Sequence, residues 1–458
     1  GRMVDTRYVD IAVVGAGTAG LAAYRTAKQH TDNVVLIEGG SGGTTCARVG
    51  CMPSKLLIAA ANAAHGVAHA KAFGIDARVH GIDGHEVMDR VRRERDRFVG
   101  FVLKGVDAIP ESDKVMGWAT LVDAHTLDVS GVRIRAKAIV VATGSSPSYP
   151  EAWKDLGSRL VVNDDVFEWR TLPQRVAVMG AGVIGLELGQ ALHRLGVHVR
   201  IFGRSGTMGP LQDEVVRHEA ENIFSKELLL DARAVVDEVA LHPEGVSIRY
   251  QHSDGSRHTE VFDYILAATG RKPNWGLLQG LEALPEVDSG TLQCQGYPHI
   301  FIAGDANHER PLLHEAADDG VIAARNAWHF LQGEPVLSPA RRAPLGIAFC
   351  EPQMAVVGSY SADDIVGEVH FSDQGRSRVM LENRGMLRVY ATKEGVFTGA
   401  QMVGPAAEHI GHLLSWPLQQ GLTIQTMLEM PFYHPVVEEG VRTALRECLK
   451  ALSNLADR

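Results

Sequence analysis

Two glycine-rich turns of the same design, about one domain length apart, constrain the fold of this sequence more than any other feature. Each has the pattern Gly-x-Gly-x-x-Gly and stands between an apolar, strand-like run (8–14 or 175–179) and a helix-favouring segment. The glycines are Gly15, Gly17 and Gly20 in the first turn and Gly180, Gly182 and Gly185 in the second. Glycines at this spacing let the backbone approach a pyrophosphate at the amino end of a helix. The sequence therefore predicts two dinucleotide-binding βαβ folds.

The residue that ends the second strand of each βαβ fold governs how an adenosine ribose is held. In the first fold this residue is Glu38, whose carboxylate can accept hydrogen bonds from the ribose hydroxyls. In the second fold Gly203 takes the place of an acid and Arg204 follows it. An acid would repel a 2′-phosphate, whereas an arginine can pair with one. Although Gly185 is usual in NAD-binding turns, we expect NADPH to be favoured over NADH at the second fold.

Three further strand-like runs complete the two folds and connect them. The runs at 138–145 and 264–271 each contain Ala-Thr-Gly after an apolar stretch, and the run at 300–305 ends in the acidic Asp305. Beyond a linker at 341–344, strand-like and helical segments alternate without another glycine turn. We therefore predict an α/β protein with two Rossmann-like domains and a C-terminal α+β domain.

Two of the five cysteines, Cys46 and Cys51, lie close together ahead of a helix-favouring run. Thiols near a helix start have lowered pKa values, which suits thiol–disulfide exchange. A structural metal site would use a second cysteine pair, and the sequence has none. We therefore interpret Cys46 and Cys51 as a redox pair. Cys294, Cys350 and Cys448 are expected to be buried, as free cysteines commonly are.

His434 and Glu439 are candidates for the acid–base group that such a redox pair needs. Exchange through a dithiol takes a proton from the attacking thiol and returns one to the leaving thiol, and histidine titrates in the right range. A carboxylate five positions on can orient the ring and raise its basicity. The chain has 20 histidines, so this motif gains its weight from the family resemblance that follows.

Charge and composition exclude several classes of partner. The 458 residues carry a net charge of −10 and no basic run, which argues against a nucleic-acid-binding surface. No apolar run approaches the roughly 18 residues that a membrane span needs, and the amino end lacks the pattern of a secretory signal. We expect a cytoplasmic protein without a nucleic-acid or membrane partner and without a metal site.

Together the motifs resemble one family over essentially the whole chain: the class I pyridine nucleotide–disulfide oxidoreductases, the glutathione reductase/dihydrolipoamide dehydrogenase group. The matching motifs, all in family order, are the first glycine turn with Glu38, Cys46-x4-Cys51-x-Pro-Ser-Lys55, Ala-Thr-Gly-Ser145, the second glycine turn with Glu187, Ala-Gly-Asp305 and His434-Pro-x-x-Glu-Glu439. Pro-Ser-Lys after the second cysteine looks more like the dihydrolipoamide dehydrogenases than the glutathione reductases.

The resemblance implies a domain plan and a set of cofactors. FAD would bind a domain formed by 3–147 and 269–338, NAD(P)H would bind 148–268, and 339–458 would form a homodimer interface. The implied cofactor-binding residues are Gly15, Gly17, Gly20, Glu38, Gly43, Thr44, Thr45, Lys55, Ala119, Thr143, Gly144, Ser145, Gly304, Asp305, Leu313 and His314 for FAD, and Gly180, Gly182, Val183, Ile184, Gly185, Arg204 and Gly270 for the nucleotide.

The resemblance also assigns roles to the catalytic residues. Cys51 would face the flavin and Cys46 would be the interchange thiol that meets the substrate. Lys55 and Glu187 would form an ion pair beside the flavin. The C-terminal domain would lend a histidine and a glutamate to the partner's active site, and these correspond to His434 and Glu439.

The leading interpretation is a dihydrolipoamide dehydrogenase-like enzyme that acts on a small thiol or disulfide, which includes a protein-bound lipoyl group. Thr44, Arg48 and Val436 depart from the usual family residues. Together with Arg204 they keep open an NADPH-dependent reductase of another low-molecular-weight disulfide, similar to glutathione reductase. A flavoprotein redox sensor without turnover is a further alternative, against which the intact set of motif residues argues: Cys46, Cys51, Lys55, Glu187, His434 and Glu439. A mercuric reductase is disfavoured because the tail lacks that group's paired cysteines.

Overall fold

The structure is a computed structural model that describes residues 5–39, 51–252, 254–304 and 313–458. For Cys51, Leu313 and His314 it describes the backbone alone. The chain forms two compact units, each assembled from three segments. The first unit contains residues up to 53, 92–148 and 271–341, and the second contains 54–91, 149–270 and 342–458.

The first unit is built on an eight-stranded sheet with a parallel centre. Its strands in spatial order are Gln293–Cys294, Tyr297–Ile302, Val132–Val141, Thr6–Val14, Val34–Glu38 and Lys114–Met116. Thr126–Val129 pairs with Val132–Val141, and Ala119–Asp123 pairs with Thr126–Val129. The carboxyl halves of the two central strands, 11–14 and 138–141, are apolar and buried. Helices Thr18–Lys28 and Leu313–Leu331 share a hydrophobic core with them. A short ribbon pairs Ser145–Pro147 with Arg271–Pro273.

The second unit contains its own parallel sheet of five strands. In spatial order these are Leu229–Asp231, His198–Phe202, Arg175–Met179, Tyr264–Ala267 and Leu160–Val161. Helices Val183–Arg194 and Glu214–Glu227 follow the strands, and the antiparallel strands Val235–His242, Gly245–Gln251 and Arg257–Phe262 form a separate sheet. This arrangement and the first sheet confirm the predicted pair of Rossmann-like folds.

The C-terminal part of the second unit is an antiparallel sheet with helices. Its strands in spatial order are Leu345–Ala348, Gln353–Gly358, Phe397–Gly404, Met386–Ala391 and Ile365–His370. Its helices are Gly375–Val379, Ala407–Gln419, Ile424–Leu428 and Glu439–Ala456. The α+β prediction for this region is confirmed. Nη1 of Arg388 donates to both carboxylate oxygens of the buried Asp213, at 2.9 and 2.7 Å, and joins this sheet to the nucleotide fold of the same unit.

Two longer helices, Cys51–Ala68 and Gly84–Asp107, complete the described secondary structure, together with the short helix Asn163–Val166 and several single 3₁₀ turns. None of the described helices is both long and apolar enough to cross a membrane.

Candidate active site

The first glycine turn has the geometry of a dinucleotide cradle. Gly15 has a φ of +108°, and a Cβ there would lie 2.1 Å from the carbonyl oxygen of Ala142. A Cβ on Gly20 would lie 1.7 Å from the carbonyl oxygen of Gly15, so only glycine allows the helix to pack this close to the strand. Around Gly17, by contrast, the space within 4 Å is open. The turn therefore leaves room for a ligand against its backbone, as a bound pyrophosphate requires.

Glu38 lies beside this turn, where the ribose of an adenosine group would be held. Its Oε2 accepts a hydrogen bond of 2.8 Å from the backbone N–H of Ala16. That bond keeps the carboxylate next to the glycine turn. The position and the acid fit the role that the sequence predicted for Glu38 in the FAD fold.

The glycines of the second turn make the same kinds of close backbone contact as those of the first. Gly180 has a φ of +122°, and a Cβ there would lie 2.2 Å from the Ala268 carbonyl oxygen. A Cβ on Gly185 would lie 2.0 Å from the Gly180 carbonyl oxygen, whereas Gly182 again faces open space. Val183 and Ile184 begin the helix that follows. Both glycine turns therefore fit a dinucleotide.

The ribose position of the second fold cannot hold an acid. A Cβ on Gly203 would meet backbone atoms of Asp231 and Ala232 at 2.9 Å, so any larger residue would displace the neighbouring chain. Arg204 is exposed, and no side chain in the described part of the protein forms an ion pair with it. Arg233 belongs to the same loop cluster, because Ala234 N–H donates to the Gly203 carbonyl at 3.0 Å. Sequence reasoning missed Arg233, because only the pairing of distant strands brings it to this loop.

Lys55 and Glu187, predicted as an ion pair, lie in contact. Lys55 Nζ is 2.9 Å from Glu187 Oε1 and 3.2 Å from Oε2, and the Glu187 side chain is only 3% exposed. A third residue, which sequence reasoning missed, completes the pair. The backbone N–H of Phe349 donates to Glu187 Oε2 at 2.7 Å, and the Lys55 ammonium lies 4.8 Å from the centre of the Phe349 ring. The ring adds a cation–π attraction to the hydrogen bonds.

One face of the helix Val183–Arg194 holds the segment that contains Phe349. Besides Glu187, this face carries Gln190, which exchanges two hydrogen bonds of 2.7 Å with the backbone of Glu351. One turn later Arg194 lies between Glu227, at 2.9 Å, and Glu351, at 3.1 Å. Burial opposes ionisation of both carboxyls. The hydrogen bond and charge of Arg194 nevertheless hold the pKa of Glu227 below its usual range, and Arg384 together with Arg194 does the same for Glu351.

His434 and Glu439, which were predicted to act as an acid–base pair, are in hydrogen-bonding contact. His434 Nδ1 lies 2.9 and 3.0 Å from the two carboxylate oxygens of Glu439. Glu439 also accepts hydrogen bonds from the Val436 N–H and from Arg442, both at 3.1 Å. The hydrogen bond with His434 is the main reason that the pKa of Glu439 falls below its ordinary value. With Nδ1 engaged and the His434 side chain exposed, Nε2 is left to take or give a proton.

The remaining predicted residues divide into those that the structure describes and those that it does not. Gly43, Thr44, Thr45, Cys46 and Asp305 lie outside the described residues, as do the side chains of Cys51, Leu313 and His314. The helix Cys51–Ala68 begins at Cys51 itself, one turn earlier than the predicted helix-favouring run, and Lys55 follows one turn later on the same helix. The site roles of all these residues stay predictions.

The smaller cofactor-binding candidates lie at strand ends. Thr143 and Gly144 follow the strand Val132–Val141; Thr143 Oγ1 donates to the Asn274 carbonyl at 2.6 Å. Ser145 Oγ accepts a hydrogen bond of 2.8 Å from Arg271. Ala119 begins a strand, and Gly144 and Gly270 have positive φ angles of 70° and 114°. Gly304 donates its N–H to the buried Asp319 at 3.0 Å.

The other three cysteines are not part of this site. Cys294, Cys350 and Cys448 are free and buried, which confirms the sequence-based expectation. Burial raises the pKa of the Cys294 thiol to about 12 and that of Cys448 to about 11, and it raises the pKa of Cys350 as well. Thiols in this state are poor nucleophiles. Among the residues that the structure describes, no cluster of three or more His, Cys, Asp or Glu side chains is arranged to hold a metal ion.

Comparison with known proteins agrees with this geometry. A family model described as pyridine nucleotide-disulphide oxidoreductase matches residues 9–320, which is more than half of the chain. The chain belongs to this family. A second model, the dimerisation domain of the pyridine nucleotide-disulphide oxidoreductases, matches residues 346–445. Membership implies FAD and a pyridine nucleotide as cofactors, and the two glycine turns described above fit them.

Individual members of this family are similar to the chain over nearly its whole length. The chain is 29% identical to a dihydrolipoyl dehydrogenase from Haloferax volcanii, with 96% of each chain covered. It is also 29% identical to a dihydrolipoyl dehydrogenase from Geobacillus stearothermophilus, with 93% of each chain covered. Among solved structures, the HOCl-induced flavoprotein disulfide reductase RclA from Escherichia coli has the same fold. It has a TM-score of 0.77 at 20% identity and covers 95% of this chain and 99% of its own.

Proposed function

We propose that this oxidoreductase transfers electrons between a pyridine nucleotide and a small disulfide through FAD and the Cys46–Cys51 pair, with a lipoyl group as the leading substrate. The observation that carries the proposal is the His434–Glu439 pair, whose Nδ1 bond of 2.9 Å fixes the ring and leaves Nε2 exposed. A histidine oriented in this way is what exchange between a dithiol and a disulfide requires. The dihydrolipoyl dehydrogenases among the relatives support the choice of substrate.

The proposed cycle consists of two balanced half-reactions. In the first, NAD(P)H and a proton reduce the Cys46–Cys51 disulfide to two thiols, and NAD(P)⁺ leaves. In the second, the two thiols reduce a substrate disulfide to a dithiol, and the Cys46–Cys51 disulfide forms again. Bound FAD supplies the carrier for the electron pair between the nicotinamide and the sulfur atoms. Both half-reactions can run in reverse, which is the direction that would oxidise a dihydrolipoyl group.

Protein side chains would have separate tasks in this cycle. His434 would accept the proton of the attacking thiol at Nε2 and return it to the leaving thiol. Glu439 would keep the ring in the tautomer with hydrogen on Nδ1 and stabilise the charged imidazolium. Lys55 would hold a positive charge at a fixed place on the helix that begins with Cys51, because Glu187 and the Phe349 ring both restrain its ammonium group.

For the nucleotide, we propose NADPH in preference to NADH. Gly203 leaves no room for a ribose-binding acid, and two arginines, Arg204 and Arg233, stand in the adjoining loops. Arg233 is held at 3.2 Å by Glu221, a partner that a phosphate could replace. An NADPH-dependent reductase of a different low-molecular-weight disulfide is therefore the second candidate function.

We also propose that the active protein is a homodimer formed through the C-terminal domain. The exposed large apolar side chains of this domain include Leu413 and Trp416 on one helix, and Met430 and Tyr433 on the segment after the next helix. Aromatic and methionine side chains are enriched at subunit interfaces. The dimerisation-domain model matches residues 346–445 of this domain. A second copy of the chain would cover these exposed side chains.

The proposal is tested by steady-state oxidation of NADH and NADPH, each with lipoamide, oxidised glutathione and an aryl disulfide. A Cys46→Ser variant of the same chain serves as the control for turnover through the disulfide. Lipoamide-dependent turnover that Cys46→Ser abolishes supports the leading function. NADPH-dependent turnover of another disulfide, with none of lipoamide, supports the second candidate. Flavin reduction without turnover of any disulfide would contradict both and favour a redox sensor.

A further inference from the structure

A large aromatic side chain, Trp118, is left uncovered next to the FAD fold. Trp118 is 77% exposed. It follows the edge strand Lys114–Met116 of the first sheet and precedes the strand Ala119–Asp123. Tryptophan is enriched at binding surfaces, where its large ring supplies contact area.

The backbone fixes Trp118 beside the ribose-binding residue of the first fold. The edge strand pairs in parallel with Val34–Glu38, in a register that sets Glu38 opposite Met116. The N–H of Gly117 then donates to the Glu38 carbonyl at 3.0 Å. Gly117 has a φ of +141°, and a Cβ there would lie 2.4 Å from the Ser130 hydroxyl. Gly117 turns the chain after this pairing, so Trp118 lies next to the carboxyl end of the strand Val34–Glu38.

The indole lies directly against Gly39, the residue after Glu38. If Gly39 had a Cβ, that atom would lie 2.6, 2.7 and 3.0 Å from the indole atoms Cδ2, Cε3 and Cε2. The ring therefore occupies the space of a side chain at position 39, and no other residue than glycine fits without moving it. Gly39 and Trp118 form one surface, in which the backbone of Gly39 supports the indole.

We propose that Trp118 binds the adenine ring of FAD. Glu38 marks the place of the adenosine ribose in a fold of this type, and the base is bonded to that ribose. The exposed indole of Trp118 lies against Gly39, the residue after Glu38. The ring is therefore placed where the purine attached to that ribose would contact it. Aromatic rings and bases stack through their faces and exclude water between them. The proposal rests on the cofactor of the family and not on the disulfide substrate, so failure of either can be recognised separately.

The proposal is tested on the full-length protein after removal of flavin, by titration with FAD and, in parallel, with FMN. FMN has the isoalloxazine ring but no adenine, so it reports binding that does not involve Trp118. Trp118→Ala is expected to weaken FAD binding about tenfold, the effect of losing one modest base–aromatic stack. The same variant should bind FMN as the wild type does, and Trp118→Phe should keep most of the FAD affinity.

Two further variants separate stacking from general damage. Phe101→Ala removes another exposed aromatic ring of the same unit, 58% exposed, and should leave the FAD affinity unchanged. Gly39→Ala keeps the tryptophan but forces the indole away, so it should weaken FAD binding and leave FMN binding unchanged. Equal losses for FAD and FMN, or an unchanged FAD affinity in Trp118→Ala, would overturn the proposal. If Trp118→Ala does not fold, Trp118→Phe and Gly39→Ala still decide between these outcomes.

Discussion

At the scale of single residues, the candidate active site combines side chains that are far apart in the sequence. Lys55 and Glu187 are 132 positions apart, and Phe349 is a further 162 positions beyond Glu187. Glu187 is 3% exposed, and a carboxylate that is buried in this way is stable only while its partners compensate the charge. The contacts of Glu187 therefore matter both for the position of Lys55 and for folding.

Replacing Lys55 by methionine is expected to lower the free energy of unfolding by about 2 kcal/mol, because the buried Glu187 carboxylate loses its counterion. The value is below that for a fully buried pair, since about a third of the Lys55 side chain is exposed. Urea-induced unfolding of the protein with its flavin bound measures the change. The double variant Lys55→Met, Glu187→Gln should recover part of the loss, because the amide keeps an acceptor for the Phe349 N–H without a charge. An unchanged unfolding midpoint in Lys55→Met would contradict this account.

His434→Gln is expected to lower disulfide turnover about 100-fold, the lower end of what a positioned acid–base group contributes. Reduction of the flavin by the nucleotide should keep its rate, because that step does not use His434. Glu439→Gln should have a smaller effect, about tenfold, since it leaves the imidazole but loosens its orientation. Stopped-flow flavin absorbance and steady-state turnover distinguish the two steps. His370→Gln, which removes another exposed histidine with a glutamate partner, is the matched control and should leave both unchanged.

Arg204→Ala is expected to raise the KM for NADPH about tenfold and to leave that for NADH unchanged, because only NADPH carries the 2′-phosphate. Arg233→Ala should act in the same direction. Glu221→Gln should lower the KM for NADPH, since it frees Arg233 from its ion pair. Arg257→Ala removes an exposed arginine of the same nucleotide fold, paired with Asp237, and serves as the control. Equal changes for both nucleotides would contradict the assignment of the two arginines.

At the scale of elements, the helix Val183–Arg194 connects the second glycine turn with the segment at 349–351. Its first residues follow Gly182, and Glu187, Gln190 and Arg194 lie on the face that holds the segment. Positions four, seven and eleven residues into a helix share a face, so the spacing alone allowed this arrangement. The sequence did not indicate what the face would hold, because the segment belongs to the C-terminal domain.

Arg194→Gln is expected to change the pH dependence of the free energy of unfolding. Glu227 and Glu351 have lowered pKa values in the folded protein, so their stabilising effect is complete well above pH 4.5 and is lost as the pH falls through the lowered values. Without Arg194 these pKa values rise, so the variant should be less stable at neutral pH and lose less stability between pH 5 and pH 3. Thermal unfolding across this range measures both effects. Parallel pH profiles for variant and wild type would contradict the role of Arg194.

At the scale of the whole molecule, mixed dimers can test whether each active site combines residues of two subunits. If His434 serves the partner's cysteine pair, a mixed dimer of Cys46→Ser and His434→Gln chains contains one intact site. Random reassociation makes half of the dimers mixed, so about a quarter of wild-type activity should return. Each variant reassociated alone is the control. No recovery, in mixtures that sedimentation shows to be dimeric, would place both groups in one chain.

Most of the fold could be predicted from the sequence because its strongest signals are local. A strand, a glycine turn and a helix within some 25 residues specify each βαβ unit, and the helix-favouring segment after the second turn forms the helix Val183–Arg194. Gly182, the second glycine of that turn, is the N-cap of this helix. The division of the chain at 147, 268 and 338 stays a prediction, and the compact units change at 148, 270 and 341.

Short motifs with fixed spacing identify most residues of the candidate site: the glycines, the acid at 38, and His434 with Glu439. The Lys55–Glu187 pair joins two distant motifs, so its prediction came from the family resemblance. The residues that support this set become visible only in the folded chain. Phe349 reaches Glu187, Arg233 joins Arg204, and Trp118 covers Gly39 through strand pairing and loop contacts between distant segments. Such contacts leave no periodic or spaced pattern in the chain, because packing in three dimensions brings the residues together.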